Sequence, residues 1–210
     1  MATVVLLGTL DTKGHEYGYL AERLREQGVE TLIVDAGVYE PPSMAAGLGP
    51  DVSREEVAAA GGANAAELAA AGDRGAAVEA MARGAAEVVK RLHAEGRLDG
   101  IVSVGGSGNS SIAGIAMRGL PVGVPKVIVS TVASGDTRPY MGASDVTMTY
   151  SVVDIAGINQ ISARILTNAA GAIAGMVKAQ VPPLADTKPL VITCSSVPSG
   201  LTVTIAPSRE

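Results

Sequence analysis

The segment VVLLGTLDTKGHEYGYL, residues 4–20, governs the reading of the whole chain. Residues 3–7 form an unbroken run of β-branched side chains and leucine, the pattern of a strand buried on both faces. A polar loop follows, with Thr9, Asp11, Thr12 and Lys13 set between Gly8 and Gly14. The pattern then predicts a helix over residues 15–27, with Tyr19, Leu20 and Leu24 on its apolar side and Gly28 as its stop. A second buried strand, residues 30–34, runs into Asp35-Ala36-Gly37. Two strands joined by one helix make a right-handed βαβ unit.

Composition narrows what such a unit serves. The 210 residues suffice for one sizeable domain, and the 47% hydrophobic content excludes a disordered chain. Aromatics are 2%, all tyrosine, so the core is built from aliphatic side chains and alanine, and the 26 glycines fit close helix-to-sheet approach. A net charge of -5 without any basic run argues against a nucleic-acid partner. The single cysteine, Cys194, excludes an intramolecular disulfide and a CxxC metal site. No stretch is long and apolar enough for a membrane span, and no charged segment precedes a cleavable apolar one. The expectation is a cytoplasmic protein with no membrane partner.

The alternation continues downstream. Residues 38–75 interrupt it with a Pro- and Gly-marked connection (Pro41, Pro42, Gly47, Gly49, Pro50) and a capping box, Ser53 with Glu56, opening a short helix. Between a lid and an inert surface excursion, the Ala-rich composition favours the excursion. A helix is expected over residues 76–95, carrying Val78, Met81, Val88, Val89 and Leu92. Strands follow at 100–104, 126–131 and 145–150, and a long helix at 155–178 with Ile158, Ile161, Ile165 and Leu166 as its apolar face. The fold class expected is α/β, a doubly wound Rossmann-like parallel sheet of five strands flanked by helices. Residues 1–179 form that nucleotide-binding domain, and residues 180–210 a linker and irregular tail with short strands at 189–193 and 201–205.

In open parallel sheets ligands bind beyond the carboxyl ends of the strands, and every unusual loop here falls there. The loop from Gly8 to Lys13 is no Walker A motif, yet Lys13 brings charge to a phosphate while Thr9, Thr12 and backbone N–H groups supply hydrogen bonds. An exposed lysine is the plain alternative, but a cation in a helix's first turn opposes the dipole, and an anion partner explains it. Residues 105–111, Gly105-Gly106-Ser107-Gly108-Asn109-Ser110-Ser111, read G-x-G-x-x-S from Gly106 and lack the third glycine of the dinucleotide fingerprint. Asp35 stands where an acidic residue holds ribose hydroxyls, although an aspartate ending a strand is common. Residues 130–145 are the densest polar stretch: Thr131, Ser134 and Gly135 suit ligand contact, Arg138 suits a phosphate or carboxylate, and Asp136 a metal or proton. The alternative for this stretch is a solvated loop with one internal ion pair. His15 and His93 read as surface residues.

GTLDTKG, VGGSGNSS and PKVIVSTVASGDTRPYMGASDVTMTYSVVDIAGIN together resemble one family, the ATP-binding domain family of the tomato mosaic virus resistance protein and its bacterial homologues. The resemblance covers residues 3–177. It implies an α/β nucleotide-binding fold, ATP as ligand and homodimers. Asn109 stands where the family is expected to have a further glycine, and Ser110 where threonine is usual. Family members continue into a second α/β half, of which Lys188-Pro189-Leu190 and the residues after it look like the first strand.

The function expected is an ATP-binding domain, the nucleotide-binding half of an ATP-dependent small-molecule enzyme acting by carboxylate activation or phosphoryl transfer. Mg²⁺ would accompany ATP, and Asp136 and Arg138 would be the catalytic pair facing the γ-phosphate or an acidic co-substrate. The alternatives are a non-catalytic, ATP-stabilised module acting through a protein partner, and an NAD-type domain, which the broken fingerprint disfavours.

Overall fold

The N-terminal apolar run forms β1 (Thr3–Gly8), and in the computed structural model Val4, Val5, Leu6 and Leu7 are wholly buried. Residues 1–41, 49–182, 190–197 and 200–207 are described by the structure. After β1 come α1 (Leu10–Glu26), β2 (Glu30–Asp35), α2 (Arg54–Ala60), α3 (Ala65–Ala71), α4 (Arg74–Ala94) and β3 (Gly100–Gly105). Then follow α5 (Ser107–Arg118), β4 (Lys126–Ser130), α6 (Arg138–Met141), β5 (Thr147–Tyr150) and α7 (Gln160–Lys178). The five strands form one sheet in the order β2-β1-β3-β4-β5, every neighbouring pair parallel. The expected α/β class, a Rossmann-like parallel sheet between helices, is what the chain adopts.

Alternating strand residues feed two cores. Val5, Leu7, Ile101 and Ile128 pack with α2, α4 and α5 on one face. Val4, Leu6, Val102 and Val127 pack with α1 and α7 on the other. Burial on both faces is why the strands read as continuous apolar runs.

Several boundaries differ from expectation for local reasons. A first turn of α1 begins at Leu10, whose N–H is accepted by Asp35; the helix breaks at Lys13 (φ -128°, ψ 16°) and runs on from Gly14. Its buried tyrosine is Tyr17, while Tyr19 is half-buried and bonds Thr167 on α7 (2.9 Å). Residues 107–111, expected in a glycine-rich loop, are the start of α5. In α7, Asn159 caps the N–H groups of Ile161 and Ser162, so the helix starts after Ile158. Ile158 and Ile161 are exposed; Leu166, Ala169, Ala170, Ile173 and Ala174 face the sheet, small residues allowing close approach.

The segment before α4 is more than an excursion. Its capping box forms as expected, Ser53 Oγ accepting from Glu56 N–H and Glu56 accepting from Ser53 N–H. Val52 bridges to Val34 at the sheet edge, and Val57 and Ala58 are buried. The backbone of α2 lies against α4 at Gly84, where an added Cβ would come 1.8 Å from the Val57 carbonyl oxygen. Only glycine permits that approach.

The chain divides into two compact units, Met1–Ala179 and Gln180–Glu210. In the second, β6 (Leu190–Val197) and β7 (Gly200–Pro207) pair antiparallel as a hairpin, longer than the two short strands expected there. Pro42, Gly47, Pro183, Lys188 and Pro189 lie outside the described residues. Among the described residues no helix is long and apolar enough to cross a membrane.

Candidate functional site

With β1 central, the chain leaves it toward β2 on one side and β3 on the other. The crevice beyond the carboxyl ends of β1 and β3 is therefore the switch point where such sheets bind ligands. A cavity of about 360 Å³ opens here. Thr9, Asp11 and Thr12 follow β1, Ala36–Tyr39 follow β2, and Gly108, Asn109 and Ile112 belong to α5. The remaining wall comes from Leu68 of α3 and from Gly72, Asp73, Arg74, Ala77, Val78 and Met81 at the start of α4.

Beneath the cavity a buried polar network locks the two loops together. The Tyr17 hydroxyl donates to the Leu7 carbonyl (2.6 Å) and accepts from Val104 N–H (2.8 Å), so it spans β1 and β3 from within the sheet. Burial raises its pKa above the ordinary value. Asn109 donates through Nδ2 to Ser103 Oγ (2.9 Å) and the Val104 carbonyl (2.8 Å), while its Oδ1 accepts from Thr9 N–H (3.2 Å). Where the family resemblance leads one to expect glycine, Asn109 thus ties α5 to the loop after β1. Gly8 is required by the same network, since a Cβ there would fall 1.9 Å from the Tyr17 hydroxyl oxygen.

The amides after β1 and β2 are largely consumed inside the protein. Thr9 N–H goes to Asn109, Leu10 and Gly37 N–H to Asp35 Oδ1, and Thr12 and Lys13 N–H to the Thr9 carbonyl. Ala36 N–H goes to the Gly8 carbonyl, and Val38 and Tyr39 N–H to Asp11 Oδ2. The backbone donors left for a ligand include those of the first turn of α5, where Gly106 is the N-cap and no side chain caps the helix. No acidic residue stands in that turn. Arg74 lies beside it: a Cβ on Gly108 would come 3.5 Å from the Arg74 Nη2. Arg74 is itself the first residue of α4, where a cation opposes the helix dipole, and it makes no ion pair among the described residues. A helix N-terminus, a free guanidinium and the Thr9 and Thr12 hydroxyls, 3.2 Å apart, make one side of the cavity suited to an anion. Asp11 and Asp73 are the carboxylates on the wall among the described residues; Asp73 Oδ1 caps Ala76 N–H, and Asp11 Oδ1 is a buried oxygen with no partner among those residues.

Of the residues expected to bind a ligand, the structure brings Thr9, Asp11, Thr12, Gly108 and Asn109 to the cavity. Lys13 is elsewhere: its ammonium donates to the Ile155 carbonyl and fastens α1 to the segment before α7, so its partner is a carbonyl. Asp35 is 1% exposed and off the wall; burial raises its pKa, opposed by the N–H donors of Gly37 and Leu10. Gly8, Gly105 and Gly106 shape the backbone beneath, and Ser107 opens α5 outside the cavity wall. Ser110 Oγ bonds the Gly106 carbonyl (2.9 Å) and Ser130 Oγ (2.6 Å), and Ser111 Oγ the Ser107 carbonyl (3.0 Å), so both hydroxyls are engaged within the protein. Thr131 lies near Gly106, while Ser134 and Gly135 are off the cavity wall, in the β4–α6 connection. Asp136 and Arg138 pair with each other through two contacts of 2.8 Å and are exposed, away from the cavity wall. That hydrogen bonding pulls Asp136 down to about 2.

Sequence reasoning missed Arg74, Asp73, Leu68 and Tyr17. Arg74 carries the signal used for Lys13, a cation in a helix's first turn, and was within reach had the helix been started two residues earlier.

Residues 2–182 match the family described as "Uncharacterised protein family (UPF0261) N-terminal domain". The chain belongs to this family. A UPF0261 protein of Clostridium tetani is 51% identical over 188 residues, covering 90% of this chain and 46% of that protein. A UPF0261 protein of Rhizobium meliloti is 40% identical over 203 residues, covering 97% of this chain and 47% of the relative. The tomato ToMV resistance protein Tm-1(GCR237) is 47% identical over 104 residues, 50% of this chain and 14% of that protein. The chain thus spans about half the length of its bacterial UPF0261 relatives.

Proposed function

We propose that this UPF0261 domain binds a nucleoside phosphate, with ATP the ligand favoured by the resemblance, in the cavity between β1, β2, β3 and α4. The observation that carries the reading is the convergence of the uncapped α5 N-terminus and the free Arg74 guanidinium on one side of a switch-point cavity. Phosphate oxygens would accept from that first turn, from Arg74 and from the Thr9 and Thr12 hydroxyls. Mg²⁺ typically takes one or two carboxylates beside substrate phosphates, a role that fits Asp73 or Asp11. Among the described residues no group of three His, Cys, Asp or Glu would hold a metal by itself. The role proposed is the nucleotide-binding half of an ATP-dependent small-molecule enzyme.

A second reading, an ATP-stabilised module acting through a protein partner, is favoured by one observation: the residues expected to be catalytic, Asp136 and Arg138, neutralise each other outside the cavity. Phosphate release that depends on an added metabolite separates the two.

The test is calorimetric titration of Mg·ATP into the chain and its Arg74→Ala and Lys13→Ala variants. Loss of a charge-assisted hydrogen bond predicts at least about tenfold weaker binding for Arg74→Ala. Lys13→Ala should leave the affinity within about threefold, because Lys13 holds Ile155 instead of the ligand. A folded chain that binds no ATP, or an Arg74→Ala variant that binds as well as the wild type, overturns the reading.

A further inference from the structure

The cavity has two chemically different ends. Arg74, Asp73 and Thr12 at its mouth are exposed, whereas Ala36, Met81 and Ile112 on its inner wall are each 1% exposed. Leu68 and Val78 are half-buried on the same apolar cluster and continue that wall toward the mouth. None of these inner side chains donates or accepts a hydrogen bond, and the Ala36 N–H is already taken by the Gly8 carbonyl. The loop most able to read a base edge, residues 36–39, has its four N–H groups committed to Gly8, Asp35 and Asp11.

A nucleotide has one large, flat, weakly hydrated part, and an apolar wall favours it without direction. We infer that the base of the bound nucleotide lies on the wall formed by Leu68, Val78 and Met81, and that the site reads the shape of a purine and not its edge. This rests on the nucleotide reading above. It also gives the segment between β2 and α4 a role, since α3 and the start of α4 supply the surface that selects the nucleoside. Strong rejection of a near-isostere requires a site polar group left unpaired by the wrong ligand, and Leu68, Val78 and Met81 carry none; the unpartnered Asp11 Oδ1 belongs to the loop after β1 and not to this wall. Adenine and guanine nucleotides are therefore expected to bind alike, while removal of the base should cost affinity.

The experiment titrates Mg·ATP, Mg·GTP and inorganic tripolyphosphate into the whole chain and into Val78→Trp and Leu68→Trp, each of which places an indole in the cavity. Circular dichroism melts show that each variant folds. Leu68 is the safer site, since Ala65 is the one fully buried residue of α3. The expected result is ATP and GTP within about tenfold of each other on the wild type. A folded variant should bind both at least about tenfold more weakly and keep its affinity for tripolyphosphate. Preference for one purine beyond tenfold overturns the reading by shape. Folded variants that bind ATP as the wild type does remove the base from this wall. A wild type that binds neither ATP nor tripolyphosphate sinks the nucleotide reading itself, and this inference with it.

Discussion

The carboxyl ends of β1 and of β4 carry loops that look equally chemical in sequence, yet the fold treats them differently. After β1, Thr9, Asp11 and Thr12 meet residues from β2, α5 and the start of α4, and together they enclose a cavity. After β4, Ser134, Gly135, Asp136 and Arg138 are exposed, and the two charges satisfy each other. The difference is topological. β1 has strands whose connections leave in opposite directions on its two sides, whereas β4 lies between β3 and β5 with connections running the same way. Polar density thus marks a loop that solvent tolerates; concavity requires a second wall, which here comes from residues 68–81.

If the region around β1 is rigid and the β4 loop is not, substitutions should show it in order of size. The largest effect belongs to Gly8→Ala. Its Cβ would overlap the Tyr17 hydroxyl at 1.9 Å, and Tyr17 is held on both β1 and β3, so it has nowhere to turn. Overpacking of this severity is expected to cost about 3 kcal/mol or more, read by urea denaturation. Tyr17→Phe, which leaves the Val104 N–H without its partner, should cost about 1–3 kcal/mol. A Gly8→Ala chain as stable as the wild type would mean that the network under the cavity yields easily.

How much of this was legible follows from which interactions are local. The strands were readable because burial on both faces leaves no polar residue to interrupt residues 4–7, 32–34 or 127–129. The Ser53–Glu56 cap was readable because both partners lie within one turn. The site was only half readable. Thr9, Asp11 and Asn109 could be found from their position after strands and Arg74 from its place in a helix's first turn, but that Leu68 and Arg74 meet at this cavity follows only from tertiary packing. Nor does a sequence tell which of two carboxylates reaches a cavity: Asp11 and Asp35 both stand among the expected binding residues, and Asp11 lines the wall while Asp35 is buried off it. The same ambiguity placed Tyr19 in the core ahead of Tyr17, two residues away on the same helix.

A smaller effect distinguishes those carboxylates by pH. Burial holds the Asp35 pKa above its ordinary value of 3.8, so the folded chain binds this proton more tightly than the unfolded one. Stability from that difference is fully present below pH 3.8 and is lost as pH rises through the raised pKa. Asp35→Asn removes the dependence while leaving an oxygen to accept from Leu10 and Gly37. Wild type should therefore lose stability relative to Asp35→Asn as pH rises from 3.8, seen as converging or crossing thermal midpoints. Parallel curves would show that Asp35 is better solvated than its 1% exposure indicates.

The smallest effect is expected on the other side of the comparison. Asp136 is pulled down to about 2 by hydrogen bonds from Arg138, so its contribution is present above its ordinary 3.8 and is lost only as pH falls through about 2. Because both groups are exposed, water screens the pair and little stability depends on it. Arg138→Ala and Asp136→Ala should each leave the thermal midpoint unchanged between pH 5 and pH 8, a range in which Asp136 stays ionised whether folded or not. They should also leave ATP affinity unchanged, which separates this loop from Arg74. A tenfold loss of ATP affinity in Arg138→Ala would erase the distinction between the two strand ends. It would mean that the ion pair opens on binding and that the β4 loop folds over the same phosphates.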